Sequence, residues 1–377
     1  MKWDTLYDSF LDTRLSGRYI TLEMIAPILE DLKSHFKITT IGKSEKEKDI
    51  PCITIGNGNL KILAWSQMHG NESTTTKALF DILNYLIYKS DFQKDVLEKF
   101  TIKIIPILNP DGAALYTREN ANGVDLNRDA LELTQKESII LRNIFEDFEP
   151  DYCLNLHDQR TIYNVGNTDL PATISFLAPA ADVEKTITSA RKKAMSLIVG
   201  MQEELEKFIP GQIGRYDDSF NLNCVGDFFQ SEGIPTILFE AGHFQQDYQR
   251  EKTRSFIALA LYTFLNSLLD KSPNDTYKNY FNIPENSTSL RDIALKNAKI
   301  NGEEKLVNVY IQFKEELQNN KIEFIPVIDS IKEDFIIFGH REIDVKMEKI
   351  THDCGNLFYE GQVIKELYFG KKKLHIK

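Results

Sequence analysis

The stretch Ile62-Leu63-Ala64-Trp65-Ser66-Gln67-Met68-His69-Gly70-Asn71-Glu72 decides the fold of this chain. Lys61 to Ser66 reads as a short buried strand, and it runs directly into a histidine and a carboxylate. The arrangement returns at Tyr152-Cys153-Leu154-Asn155-Leu156-His157, where a second apolar run closes on a second histidine. In open α/β sheets, sites form beyond the carboxyl ends of the strands, near a switch in strand order. Two imidazoles and a carboxylate delivered there make a three-ligand set with room for water, the pattern of a catalytic rather than a structural zinc site.

Working outward, Thr21-Leu22-Glu23-Met24 opens an amphipathic helix to about Phe36, with Thr21 as N-cap. Ile50 to Ile55 and Lys61 to Ser66 read as strands joined by the turn Gly56-Asn57-Gly58-Asn59. Ser73 to about Tyr88 carries apolar residues at helical spacing. Ile102 to Leu108 is a strand ending at the turn Asn109-Pro110-Asp111-Gly112. Thr134-Gln135-Lys136-Glu137 fits a capping box that opens a helix to about Phe148. Strands are expected at Tyr152 to Leu156, Thr173 to Ala178 and Thr236 to Phe239, and helices at Asp182 to Phe208 and Gln249 to Leu269. Alternating apolar strands and helices imply an α/β fold, with a mixed, mostly parallel central sheet covered by helices on both faces.

Lys271 to Asn286 breaks the alternation with Ser, Pro and Asn and reads as a linker. The chain thus divides into residues 1–275, which carry the candidate chemistry, and residues 287–377, a small strand-rich accessory domain. In the latter, Lys321 to Val327, Phe335 to Gly339, Asn356 to Phe358 and Leu367 to Phe369 look like strands.

Composition narrows the function class. A formal charge of −11 without a dense basic stretch argues against a nucleic-acid partner. No apolar run approaches the length of a membrane span. Cys52, Cys153, Cys224 and Cys354 are scattered and read as free thiols of a reducing compartment. Met1-Lys2-Trp3-Asp4 lacks the layout of a signal peptide, so a cytoplasmic location is expected.

The remaining polar motifs supply further candidates. Arg118-Glu119-Asn120-Ala121-Asn122-Gly123-Val124-Asp125-Leu126-Asn127-Arg128 gathers two arginines and several amides. A guanidinium holds a carboxylate through two parallel bonds, or faces a developing oxyanion. The bland reading is a solvated loop. Glu240 follows the apolar run Ile234-Pro235-Thr236-Ile237-Leu238-Phe239, where a carboxylate is costly unless paired or functional. It serves either as general base or in a structural salt bridge.

Together these segments resemble the zinc metallocarboxypeptidases, the family of carboxypeptidase A. The matching pieces are His69-x-x-Glu72, Asn109-Pro110-Asp111-Gly112, Arg118 through Arg128, His157 and Glu240, in the family's order over about residues 20 to 270. The resemblance implies one zinc per chain, held by His69, Glu72 and His157. Arg118 would polarise the scissile carbonyl, and Asn127 and Arg128 would hold the substrate's terminal carboxylate. Glu240 would act as general base toward the zinc-activated water, and Tyr216, by spacing, would be the mobile capping tyrosine. The implied reaction is hydrolysis of the C-terminal amide bond of a peptide.

The chain departs from the family after Asn127-Arg128, where Asp129-Ala130-Leu131 stands, and after His157, where Asp158-Gln159-Arg160 stands. Cys224 to Asp227 would line the specificity pocket, and Arg160 and Asp218 are either substrate-facing or surface residues. An alternative is a zinc amidohydrolase of the aspartoacylase or succinylglutamate desuccinylase type acting on N-acyl amino acids. Those relatives share the ligands and carry an extra C-terminal β-domain. A non-catalytic module that binds peptide carboxylates is a third reading, which the retained ligands and base disfavour.

Overall fold

The structure, a computed structural model, describes residues 3–270, 276–333, 337–353, 355–369 and 372–374. The elements run α1 (Trp3–Tyr7), α2 (Leu22–Leu32), β1 (Lys37–Lys43), β2 (Asp49–Ile55), β3 (Leu60–Ser66), α3 (Thr74–Tyr88), α4 (Ser90–Lys99) and β4 (Phe100–Ile105). They continue with α5 (Pro110–Leu115), α6 (Lys136–Phe148), β5 (Tyr152–Asp158), β6 (Asn164–Val165), β7 (Ile174–Leu177), α7 (Ser189–Leu205) and β8 (Ile213–Arg215). Then come α8 (Val225–Ser231), β9 (Thr236–Ala241) and α9 (Glu251–Leu269). Eight strands make one sheet in the order β1-β2-β4-β3-β5-β9-β7-β8. The pairings β3–β4, β3–β5, β5–β9 and β7–β8 are parallel, and β1–β2, β2–β4 and β7–β9 are antiparallel. This is the mixed, mostly parallel sheet that the alternation of strands and helices implies.

Strand β3 shows why its residues are apolar throughout. Ile62 and Ala64 join the core beneath α3, α7 and α9, while Leu63 and Trp65 face the opposite layer, with α6 and α8. Trp65 is fully covered and meets Phe229 of α8 edge to face, with ring centroids 5.5 Å apart. Both faces of the strand are thus removed from water, and each large side chain contributes roughly 1.5–3 kcal/mol.

The strand order also places the chemistry. β3, β5 and β9 are parallel neighbours, so their carboxyl ends lie side by side. Ser66 pairs with Leu156, and His157 pairs with Glu240. His69, His157 and Glu240 therefore emerge along one edge of the sheet.

Several local expectations are corrected. β2 and β3 are not hairpin partners, because β4 lies between them. Their connecting turn is tied to β4 instead, with the Gly58 N–H donating to the Phe100 carbonyl at 3.0 Å. Thr134 does not cap α6, because its hydroxyl is drawn to Asp129 Oδ1 at 2.7 Å and Gln135 occupies the cap position. Helix α7 begins only at Ser189, where Thr188 Oγ1 accepts from the Arg191 N–H and sets the start. Helix α2 stops at Leu32, short of Phe36. Cys52, Cys153 and Cys224 are free, as expected, and Cys354 lies outside the described residues.

Toward the C-terminus, β10 (Asn286–Ser287) pairs with β6. A four-stranded sheet follows in the order β13-β12-β11-β14, from β11 (Leu290–Ala298), β12 (Val307–Gln318), β13 (Lys321–Lys332) and β14 (Phe338–Asp344). A smaller sheet has β15 (Ile350–His352), β16 (Leu367–Phe369) and β17 (Lys372–Leu374). These strands share an apolar cluster of their own, including Leu295, Val309, Ile311 and Ile328. The expected strand at Asn356 to Phe358 does not form, since the Phe358 N–H donates to the Asn301 side chain at 2.7 Å. Residues 335–336 of the expected strand and 271–275 of the expected linker lie outside the described residues, and Tyr277–Asn282 forms a short 3-10 turn. Among the described residues, no helix is long and apolar enough to cross a membrane.

Candidate active site

The loop after β3 is built around a close backbone approach. A Cβ on Gly70 would stand 2.0 Å from the Gly112 carbonyl carbon, so only glycine fits. Gly70 also lies in a tight turn, closed by the Glu72 N–H donating to the His69 carbonyl at 3.1 Å. Asn109 braces the junction. Its side chain caps α5 by accepting from the Gly112 N–H at 2.8 Å and donates to the carbonyls of Met68 and Glu119. The turn motif thereby ties the His69 loop to the segment that carries Arg118.

His69, Glu72 and His157 converge. One possible ligand atom from each lies within 4.8 Å of the others. Glu72 Oε1 is 2.9 Å from His69 Nδ1, Glu72 Oε2 is 2.8 Å from His157 Nδ1, and the two Nδ1 atoms are 3.0 Å apart. Burial opposes ionisation of Glu72, but the two imidazoles hold its pKa well below the usual carboxylate range. His69 Nδ1 also meets Arg118 Nη1 at 3.2 Å, more neighbours than one ring nitrogen can satisfy by hydrogen bonding. The donor set, two nitrogens and one carboxylate facing one point, fits zinc. His69 Nε2 points away and bonds Asp125 Oδ1 at 2.9 Å, the outer carboxylate contact that orients a metal-binding imidazole.

Asp125 had no assigned role in the sequence reading, and it organises this half of the site. While Oδ1 holds His69 and the Asn127 N–H, Oδ2 accepts from Arg118 Nε at 3.1 Å and Nη2 at 3.0 Å. Burial works against its charge, but His69 and Arg118 outweigh burial and keep Asp125 ionised. The signal that marks it in the sequence is a carboxylate set between two candidate arginines. Asn127 Oδ1 accepts from the Val225 N–H, which opens α8, at 3.1 Å. The exposed Arg128 is anchored by donating from Nη1 to the Asn127 carbonyl at 2.7 Å.

Glu240 is 8% exposed, and its carboxylate has no hydrogen-bond or ion-pair partner among the described residues. Burial, then the charges of Glu72 and Asp158, push its pKa well above the usual carboxylate range, against the pull of Arg118 and Arg250. A salt bridge is therefore not its role here. The Tyr216 hydroxyl lies 3.0 Å from that of Tyr163. All eight candidate residues, including Tyr216, Asn127 and Arg128, line one cavity of about 420 Å³. Cys224, Gly226 and Asp227 line it as well, and burial pushes the Asp227 carboxyl up to about 6. Arg160 lines the cavity, whereas Asp218 is taken up by ion pairs to Lys185 and Arg191 at 2.7 and 2.6 Å.

Known proteins resemble this chain in sequence and in fold. Residues 22–159 match the family model described as zinc carboxypeptidase. Carboxypeptidase 2 of Trichophyton tonsurans is 29% identical over 188 residues, covering 48% of this chain and 33% of the relative. The chain spans well under half the length of the curated relatives it matches, for example 38% of a probable carboxypeptidase 2 from Arthroderma benhamiae, to which it is 26% identical over 212 residues. Among solved structures, a metallo-carboxypeptidase from Burkholderia cenocepacia superposes with a TM-score of 0.54 at 17% identity, covering 66% of this chain and 69% of that one. One from Pseudomonas aeruginosa, in complex with (2-guanidinoethylmercapto)succinic acid, gives a TM-score of 0.51 at 19% identity, covering 67% and 70%. At these identities the superpositions speak for the fold.

Proposed function

We propose that this chain, a member of the zinc carboxypeptidase family through residues 22–159, is a zinc-dependent peptidase that removes the C-terminal residue of a peptide. The observation that carries the reading is a buried, unpartnered carboxylate, Glu240, lining the same cavity as the His69-Glu72-His157 cluster and an anchored Arg128. Zinc held by the cluster would supply Lewis-acid polarisation and a water of lowered pKa.

The chain's own residues supply the rest. Arg128 and the Asn127 side-chain amide bind the terminal carboxylate and fix which bond lies over the ligand cluster. Arg118, held in place by Asp125, faces the carbonyl oxygen as negative charge develops there. Glu240 takes a proton from the attacking water and delivers it to the leaving amine. Tyr216 lines the cavity with Glu240 and would cover the bound substrate.

The test is a panel of peptides with varied C-terminal residues, set beside N-acyl amino acids. Release of a C-terminal residue from peptides supports the proposal. Turnover of N-acyl amino acids alone would sink it in favour of the amidohydrolase alternative.

A further inference from the structure

A second cavity, about 360 Å³, opens beside the first. Glu72, Arg118, Asp158, Gln159 and Arg160 line both, so the two meet at the ligand cluster. Asn127, Arg128 and Asp227 line only the first, and Phe313 and Phe324 line only the second. The far wall of the second cavity comes from β12 and β13.

That wall is a built surface. Tyr248, Phe313 and Phe324 pack as an aromatic group, with Tyr248 centroids 5.1 Å from Phe313 and 5.3 Å from Phe324. Gln312 Nε2 is committed to Thr161 and Asp292, which leaves its Oε1 covered and without a hydrogen-bond partner. The sheet is locked to the rest of the protein by Glu315, which bonds Arg18 at 3.0 Å and the Tyr116 hydroxyl.

We propose that the β12–β13 hairpin forms the pocket for the residue that precedes the scissile bond, and that it selects an apolar or aromatic side chain there. The inference rests on the peptidase reading above. With the terminal carboxylate at Arg128 and the scissile carbonyl at Arg118, the acyl portion leaves the ligand cluster through the second cavity. A large apolar side chain then rests on Tyr248, Phe313 and Phe324. Phe313 and Phe324 are specificity residues, and neither touches the reacting atoms.

The test compares peptides that share a C-terminal residue and carry Phe, Leu or Gly just before it. The expected result is that the full chain prefers Phe over Gly by roughly tenfold or more in kcat/KM. Phe324→Ala should remove most of that preference, leave the Gly peptide within about twofold of wild type, and keep the same zinc content. Phe324→Leu should retain an intermediate preference, which guards against a folding defect in the alanine variant. Calorimetric binding of the same peptides to Glu240→Gln should show the same order without turnover. An equal loss for Phe and Gly peptides, or no preference in the wild type, would overturn the pocket while leaving the peptidase reading intact. Failure of the wild type to act on any peptide would overturn the peptidase reading and this inference together.

Discussion

Asp125→Asn probes the link between the ligand cluster and Arg118. The oxygen of the new amide would stay where Asp125 Oδ1 now stands, since His69 Nε2 and the Asn127 N–H both point at it, at 2.9 Å each. Its NH2 would then face Arg118 Nε and Nη2, which donate to Oδ2 at 3.1 and 3.0 Å in the native protein. Two charge-assisted bonds are lost. Each is worth about 1.5–3 kcal/mol when covered, but the Arg118 side chain is 42% exposed and water replaces part of both. A net loss of about 2 kcal/mol remains, or roughly thirtyfold in kcat/KM at about 1.4 kcal/mol per factor of ten. Zinc affinity should fall less, by about tenfold at most, because His69 keeps a neutral acceptor. Steady-state kinetics on a cleaved peptide, with a chelator competition for zinc, reads both quantities. If kcat/KM and zinc affinity both stay within about twofold of wild type, Asp125 does not position Arg118 for the reaction.

Two further predictions concern stability and pH. Asp81 is fully buried and receives the Tyr7 hydroxyl, the Asp12 N–H and two bonds from Arg254 at 2.6 Å each, so Asp81→Ala should cost about 3–5 kcal/mol by urea unfolding; a cost below about 1 kcal/mol would contradict the buried pair. Burial pushes Asp292 from the ordinary 3.8 up to about 6, so the folded state favours its neutral form, and the associated stability is present below about pH 4 and lost as pH rises through about 6. Asp292→Asn cannot ionise and should gain about 3 kcal/mol relative to wild type between pH 4 and pH 7.5, whereas a pH-independent difference in unfolding free energy would contradict this.

The parts of the fold legible in the sequence are those whose residues are buried on both faces. β3, β5 and β9 read as continuous apolar runs because they lie in the middle of the sheet, and their ends delivered His69, His157 and Glu240. β1, an edge strand of mostly polar residues with an irregular burial pattern, had no such signature. Nor did α4, in which Val96 is the buried residue. β12 was missed for the same reason, since Glu315, Glu316 and Gln318 break its apolar pattern. Its turn went unread as well, although Asn319 and Asn320 both adopt positive φ, 51° and 60°, as a two-residue hairpin loop requires. The ligands could be read from strand ends, but what Asp125 does and what the hairpin walls could not. Their roles depend on which side chains the tertiary fold brings within reach.

The most direct test of the account is zinc content and peptide turnover measured on the same preparations of wild type and Glu240→Gln. The account predicts one zinc per chain in both, C-terminal release by the wild type, and a loss of about 10²–10⁴-fold or more in the variant. Undiminished turnover in Glu240→Gln, or a wild-type protein that cleaves peptides without binding zinc, would contradict it.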